Sequence, residues 1–171
     1  MKKLYLDCDG VILDTINKSY AMIREMDIDI EKEEEIKRFY QTIDWKKLII
    51  DSGEINDSIK KIRELEKHFD IEILTHTNSN EEIREKKDYF SRELPGINVI
   101  SVPKNIDKCD MVSPKGAILV DDYAQNLKKW EEKGGIPIKF SDSGKDCDYT
   151  TITDLLELLE INFNHKVKAK E

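Results

Sequence analysis

The chain has 171 residues, enough for one domain with a packed core and a small insertion. Its formal net charge of −8 weighs against a protein that follows nucleic-acid phosphates by charge alone. We find no apolar run near the roughly 20 residues of a membrane span, and we expect no membrane partner. The three cysteines, Cys8, Cys109 and Cys147, are odd in number and form no CxxC motif. They favour a reducing, cytoplasmic setting.

Short apolar runs between charged or glycine-containing segments predict five buried β-strands. These runs are residues 3–6, 71–74, 97–102, 117–120 and 136–140. Amphipathic helical patterns separate them, because apolar residues recur there at spacings of three and four. Strands that alternate with helices predict an α/β fold, a doubly wound (Rossmann-like) five-stranded parallel sheet.

The connection between the first two strands is unusually long. It has about 55 residues, where one crossover helix needs roughly 10–15. We interpret residues 15–52 as a small helical cap inserted after strand 1. The α/β core then comprises residues 1–14 and 53–160, and residues 161–171 form a polar C-terminal tail.

Acidic residues follow two of the predicted strands directly. Asp7 and Asp9 come after the first strand, and Asp121 and Asp122 come after the fourth. Doubly wound sheets bind ligands at the carboxyl ends of their strands, so these carboxylates converge if the two strands are neighbours. Carboxylates that lie close together repel one another, so they need a cation between them. A set of ligands that are all oxygen atoms suits Mg²⁺.

The segment at residues 7–15, DCDGVILDT, resembles the DxDGVxxDT signature of haloacid dehalogenase (HAD) type phosphatases. Other motifs of that family have counterparts in the same order. Thr75 ends the second strand, a lysine precedes the fourth strand, and the pair Asp121-Asp122 ends it. The resemblance covers about residues 2–140, although no motif covers the cap.

This resemblance implies a Mg²⁺-dependent phosphomonoester hydrolase that works through an aspartyl-phosphate intermediate. Asp7 would be the nucleophile, and Asp9 the general acid and base. The metal would be held by Asp7, the backbone carbonyl of Asp9 and Asp121. Gly10 would permit the tight turn, and Asp122 would support the lysine or a metal-bound water.

The resemblance also implies a hydroxyl and a lysine that bind the phosphate. Thr75 is the candidate hydroxyl donor, with Thr77 or Ser79 as alternatives. Lys108 is the candidate that offsets the charge of the transition state, because the segment Asp107-Lys108-Cys109 resembles the deoxyribonucleotidase branch. Lys104 is the second choice. Lys115 is too close to the fourth strand to reach back.

The cap is expected to decide which substrate is accepted. Its aromatic residues could stack on a nucleobase or, alternatively, form the cap's own core. The layout resembles that of the C-type 5′(3′)-deoxyribonucleotidases, which implies nucleoside monophosphates as substrates. The candidate substrate-binding residues are Phe39, Tyr40, Trp45, His76, Thr77 and Asn78.

Three readings of the function therefore stay open. The first is a 5′-nucleotidase, although the loop at residues 74–79 departs from the Thr-Ser-Pro type expected in that branch. The second is a small-molecule phosphatase that acts on sugar phosphates or phosphoglycolate-like substrates. The third is a HAD-fold scaffold or regulator without turnover. The partner expected for an enzyme is a small phosphomonoester rather than a nucleic acid.

Overall fold

The computed structural model describes residues 1–144 and 148–163, and six segments of this part form a parallel sheet. The strands are β1 (Lys2–Leu6), β2 (Phe69–Thr77), β3 (Asn98–Pro103), β4 (Ile118–Asp121), β5 (Ile136–Phe140) and β6 (Thr150–Ile152). Their order across the sheet is β3-β2-β1-β4-β5-β6. The doubly wound α/β fold is confirmed, and the strand order reverses between β1 and β4, where ligands bind in such sheets.

The prediction of five strands missed β6. This strand has three residues and pairs with β5 through the register Ile138↔Thr150 and Phe140↔Ile152. Two of the three residues are threonines, so the segment contains no apolar run. Cys147 and most of the predicted tail lie outside the described residues.

Three helices occupy the predicted cap region, and the others flank the sheet. The cap helices are α1 (Thr15–Glu25), α2 (Glu33–Thr42) and α3 (Trp45–Ser52). The remaining ones are α4 (Ser58–Leu65), α5 (Asn80–Glu93), α6 (Lys108–Met111), α7 (Ala124–Glu132) and a 3₁₀ helix (Leu155–Leu159). Within the described part of the chain, no helix has both the length and the apolar character required to cross a membrane.

The central strand β1 is covered on both faces. Leu4 and Leu6 belong to one apolar cluster, whereas Tyr5 belongs to a second cluster with Trp130 of α7. The alternation follows because successive side chains of a strand point to opposite faces. Each fully buried leucine contributes roughly 1.5–3 kcal/mol. The buried core thus fixes the position of the loop that begins at Asp7.

The cap helices pack around an apolar cluster of their own, which includes Ile23, Phe39 and Trp45. The two chain segments that join the cap to the core are bonded to each other. The backbone N–H of Asp14 donates to the carbonyl of Gly53 at 3.0 Å. The cap therefore begins and ends at one point, directly above the loop that follows β1.

Candidate active site

Asp7 and Asp121 meet at the carboxyl ends of two neighbouring strands. The backbone N–H of Asp7 donates to the Val120 carbonyl at 2.9 Å, which holds the start of the loop against β4. Lys108 Nζ lies 2.8 Å from Asp7 Oδ1 and 2.7 Å from Asp121 Oδ2. All three side chains are buried. The structure thus brings the predicted nucleophile and two of its predicted partners together.

Asp122 completes a group of three carboxylates. One oxygen each from Asp7, Asp121 and Asp122 lie within 4.8 Å of one another. Burial raises the pKa of Asp7 to about 8, with the neighbouring carboxylates acting in the same direction against Lys108. Burial, followed by the charge of Asp121, raises the pKa of Asp122 to about 6. Among the described residues, Lys108 is the one ammonium in contact with these carboxylate oxygens, and the nearby Lys139 donates to the backbone carbonyl of Asp122 instead. Three carboxylates exceed this positive charge, so the donor set fits a divalent cation with oxygen ligands.

Gly10 is required by both its backbone and its neighbour. Its φ of +79° lies in the left-handed region that glycine adopts at least cost. A Cβ at this position would lie 2.4 Å from Asp122 Oδ2. The glycine therefore permits the turn after β1 and leaves space for the Asp122 carboxylate.

The Asp9 carboxylate points to a different set of partners. Its Oδ1 accepts a hydrogen bond from Thr15 Oγ1 at 2.6 Å, and its Oδ2 accepts one from Lys86 Nζ at 2.6 Å. Thr75 Oγ1 lies 3.5 Å from the same Oδ2. Burial raises the pKa of Asp9, but the charge of Lys86 and the two short hydrogen bonds outweigh it and lower the pKa overall. Asp9 is thus held as a carboxylate beside the cap.

Lys86 is a residue that the sequence analysis missed. It is fully buried on α5 and also lies 2.7 Å from Glu82 Oε1, one helical turn away. Glu82 is equally buried, and its other oxygen accepts from the backbone N–H of Asn78 at 2.5 Å and from Asn78 Nδ2 at 2.9 Å. A Glu–Lys pair at this spacing is typical of solvated helix surfaces, so the local sequence gave no reason to place it inside.

The three candidate lysines have different surroundings. Lys108 begins α6 and is buried between Asp7 and Asp121. Lys104 is exposed and lines both cavities that contain Asp9. Lys115 is exposed and precedes the start of β4, at the opposite end of that strand from Asp121. Only the geometry of Lys108 places an ammonium in direct contact with the Asp7 carboxylate among these three.

Three cavities open beside the acidic residues, and two of them contain Asp9. The larger of these two has a volume of about 520 Å³, and its lining includes Asp7, Asp9, His76 and the rings of Tyr20 and Tyr123. The smaller has a volume of about 130 Å³ and lies between the cap and the core. Its lining includes Asp9, Tyr40, Trp45, Asn78 and Glu82. Asp9 therefore faces both spaces.

The remaining predicted site residues are placed as follows. His76 Nε2 donates to the carbonyl of Ile106 at 2.9 Å, which fixes the ring at the wall of the larger cavity. Phe39 is buried in the cap's own cluster, and Thr77 is buried as well; neither residue lines the two cavities. Ser79 caps α5 by accepting from the backbone N–H of Glu82 at 3.1 Å.

No family model and no curated protein matches the sequence. Several solved structures are similar to this protein, and each similarity extends over most of both chains. YfnB from Bacillus subtilis, described as a HAD hydrolase bound to magnesium, has a TM-score of 0.63 at 13% identity over 93% of this chain and 97% of its own. A HAD phosphatase from Thermococcus onnurineus has a TM-score of 0.62 at 17% identity, with coverages of 94% and 97%.

A third similar structure is D,D-heptose 1,7-bisphosphate phosphatase from Burkholderia thailandensis. Its TM-score is 0.57 at 14% identity, over 94% of this chain and 100% of that one. At such identities the likeness establishes the fold, whereas function must be argued from the site. The protein has the fold of the HAD-superfamily hydrolases.

Proposed function

We propose that the protein is a Mg²⁺-dependent phosphomonoester hydrolase with Asp7 as its nucleophile. The observation that carries the proposal is the buried contact of Asp7 with Lys108 beside Asp121 and Asp122, at the point where the strand order reverses. The likeness to HAD hydrolases supports it, because one of the similar structures holds magnesium and others are named phosphatases.

The reaction follows from the two aspartates. A carboxylate oxygen of Asp7 attacks the phosphorus of the substrate, and the bond to the leaving alcohol breaks. Asp9 is a carboxylate in the free protein and lines both cavities, so it first takes up a proton from solvent and then passes that proton to the leaving oxygen. It next removes a proton from the water that attacks the phosphorylated Asp7. This second attack releases inorganic phosphate and restores the Asp7 carboxylate. Lys108 offsets the negative charge that collects on the phosphoryl oxygens.

The proposed metal site lies at Asp7 rather than at the Asp9 carboxylate. Asp7, Asp121, Asp122 and the backbone carbonyl of Asp9 are the groups that would hold Mg²⁺. Bound there, the ion supplies positive charge to the phosphate oxygens. Asp7 is a better nucleophile when ionised, and a cation beside it opposes the rise of its pKa that burial causes.

For the substrate, we propose a nucleoside monophosphate. The cavity of about 520 Å³ is large enough for a nucleoside, and two tyrosine rings are available in its wall. Tyr20 is 45% exposed and Tyr123 is 56% exposed, so both rings are accessible to a ligand. Such rings can stack on a base of any identity. Tyr40 and Trp45, which the sequence analysis selected for this role, line the smaller cavity instead.

The smaller cavity favours a second candidate substrate. Its volume of about 130 Å³ corresponds to roughly four water molecules, which excludes a nucleoside but admits a short sugar or a hydroxy acid. Its wall contains the polar groups of Asn78 and Glu82 beside Asp9. A sugar phosphate or a phosphoglycolate-like ester would place its leaving group there.

The proposed compartment is the cytoplasm. Cys8 and Cys109, the two cysteines within the described residues, are buried free thiols, and thiols stay reduced in that compartment.

The test is phosphate release from deoxynucleoside monophosphates, sugar phosphates and phosphoglycolate, with Mg²⁺ and with EDTA. Release that needs Mg²⁺ and is lost in Asp7→Asn would establish the reaction. A preference for nucleotides that weakens in Tyr20→Ala and Tyr123→Ala would establish the substrate class. A protein that binds Mg²⁺ but releases no phosphate from any of these esters would contradict the proposal and favour a scaffold.

A further inference from the structure

A lysine without access to solvent lies behind the Asp9 carboxylate. Lys86 is 0% exposed, although lysine is among the residues that are least often buried. Its ammonium carries three N–H donors, and each has a partner within 3.0 Å. The partners are Asp9 Oδ2 at 2.6 Å, Glu82 Oε1 at 2.7 Å and Thr75 Oγ1 at 3.0 Å. The position of the ammonium is therefore fixed by groups from three different segments.

The partners of Lys86 are themselves held in place. Glu82 is anchored by the two nitrogen donors of Asn78, and Thr75 is a buried residue of β2. The chain from Asn78 through Glu82 to Lys86 therefore ends on the Asp9 carboxylate. Because Asp9 Oδ2 is paired with the Lys86 ammonium, the Asp9 carboxylate cannot rotate without breaking a buried ion pair.

The cap contributes to the same network. The Lys86 ammonium lies 5.4 Å from the centre of the Trp45 ring, within the range of a cation–π contact. On the other side of Asp9, Thr15 at the start of α1 donates to Oδ1. Each Asp9 oxygen is thus connected, directly or through Lys86, to a helix of the cap.

We propose that Lys86 is a positioning residue, which fixes the orientation of the Asp9 carboxylate and links it to the cap through Trp45. The inference rests on the proposed function, in which Asp9 transfers the proton of the leaving group. A hydrophobic residue of similar volume would fill the space at lower electrostatic cost, so stability alone does not account for a buried lysine here. Orientation of Asp9 towards the cavities accounts for it.

The variant for the test keeps the total charge of the network. Glu82→Gln combined with Lys86→Met removes one negative and one positive group, and the glutamine carbonyl can still accept from Asn78. Lys86→Met alone would leave Glu82 buried without its cation and is at risk of not folding. The matched control is Lys87→Met, which changes the exposed neighbour on the same helix.

The activity measurement uses two substrates that differ in their need for a proton. An alkyl phosphate expels a basic alkoxide and needs Asp9, whereas p-nitrophenyl phosphate expels a stable phenolate. We expect the first-turnover rate of E82Q/K86M to fall at least about 100-fold with the alkyl ester and less than about 10-fold with the aryl ester. Its KM should stay within about 3-fold of the wild-type value. An equal fall for both esters, or no fall, would overturn the positioning role.

A structural measurement decides the inference without any activity. A crystal structure of E82Q/K86M should show the Asp9 carboxylate turned away from its wild-type orientation, with Asp7 and Lys108 unmoved. An unchanged Asp9 carboxylate would overturn the inference even if the enzyme is active. If the wild-type protein releases no phosphate from any ester while the variant's Asp9 has turned, the proposed function fails and the positioning contact stands.

Discussion

The two aspartates of the DCD segment sit in clusters that differ in the balance of their charges. Each cluster contains one buried lysine. The Asp7 cluster consists of Asp7, Asp121, Asp122 and Lys108. The Asp9 cluster consists of Asp9, Glu82, Lys86, Thr15 and Thr75. The first has three carboxylates for one ammonium, and the second has two carboxylates whose oxygens are bound by donors of the protein itself.

This difference separates a site that needs a cation from one that does not. Burial and neighbouring carboxylates raise the pKa of Asp7 to about 8, whereas the contacts of Asp9 overcome burial and lower its pKa. The same residue type thus has opposite pKa shifts two positions apart, because the two carboxylates have different neighbours. We infer that Mg²⁺ belongs to the Asp7 cluster and that the Asp9 cluster is complete without it.

The largest effect is expected at Asp7 itself. Asp7→Asn removes the proposed nucleophile and should lower phosphate release by at least about 10³-fold, because an amide does not form the covalent intermediate. Phosphate release with Mg²⁺ in excess measures this. Asp88→Asn, an exposed aspartate on α5, is the control and should retain wild-type activity. Residual activity above a tenth of the wild-type rate would contradict the role of Asp7.

Removal of each buried lysine should distinguish the clusters by their response to Mg²⁺. Lys108→Met and Lys86→Met each leave buried carboxylates unpaired, which costs about 3–5 kcal/mol of unfolding free energy without metal. Mg²⁺ should recover part of the loss in Lys108→Met, because it can replace the missing positive charge beside Asp7 and Asp121. In Lys86→Met, whose Asp7 cluster is intact, Mg²⁺ should add only the stabilisation that it gives the wild-type protein.

Urea unfolding in Mg²⁺ and in EDTA provides the comparison. Equal recovery in both variants would mean that the two clusters do not differ as we infer. A variant that does not fold in EDTA but folds in Mg²⁺ would count as recovery.

The stabilisation by Mg²⁺ should increase with pH. Asp7 has a folded pKa of about 8, above its ordinary value of 3.8, so its contribution to stability is full below about pH 4 and is lost as pH rises towards 8. The metal binds the ionised carboxylates, so its effect is largest where that loss is greatest. At one fixed Mg²⁺ concentration, 100-fold above the Kd measured at pH 8, we expect a gain in Tm of about 5–10 °C at pH 8 and a smaller gain at pH 5, where Mg²⁺ binds more weakly.

Thermal unfolding at four pH values between 5 and 8 checks this trend. In Asp7→Asn the increase with pH should be strongly reduced. A gain that is constant from pH 5 to 8 would contradict the assignment of the metal to the Asp7 cluster.

The smallest effect concerns two glycines with positive φ. Gly10 and Gly53 have φ of +79° and +71°, and Gly53 combines this with a ψ of 174°, so an alanine at either strains the backbone by roughly 1–3 kcal/mol. Only at Gly10 would the new Cβ meet a ligand, the Asp122 carboxylate; at Gly53 no atom lies within 4 Å. Gly10→Ala should therefore also weaken Mg²⁺ binding, measured by titration calorimetry, whereas Gly53→Ala should not. Equal Mg²⁺ affinity in the two variants would show that Asp122 is not a ligand of the metal.

Much of the site could be predicted because its key residues are local in sequence. Apolar runs that end at carboxylates select Asp7, Asp9 and Asp121 as candidates. The sequence leaves open whether β1 and β4 are neighbours, and the structure pairs the two strands. Lys86 could not be found in this way, since it contacts Asp9 from 77 positions away and its own helix is strongly charged. Such a contact depends on the packing of α5 against the sheet, which no local pattern encodes.

The direction of the cap's aromatic side chains could not be predicted from the sequence either. The sequence leaves open whether the cap's aromatic residues stack on a base or form the cap's own core, because their direction depends on how three short helices pack together. Phe39 lies inside the cap's own cluster, whereas the exposed rings at the larger cavity belong to Tyr20 and to Tyr123, which follows β4. The strand β6 was missed because it has three residues, two of them threonines, and so forms no apolar run.

The most direct test of the central claim is to trap the phosphorylated enzyme. The protein is mixed with p-nitrophenyl phosphate and Mg²⁺, quenched in acid within the first turnover, and analysed by peptide mass spectrometry. We expect one added phosphoryl group, located at Asp7, that is lost in alkali and absent when EDTA replaces Mg²⁺. A protein that turns over the ester while Asp7 carries no phosphoryl group, or that carries it at another residue, would contradict Asp7 as the nucleophile.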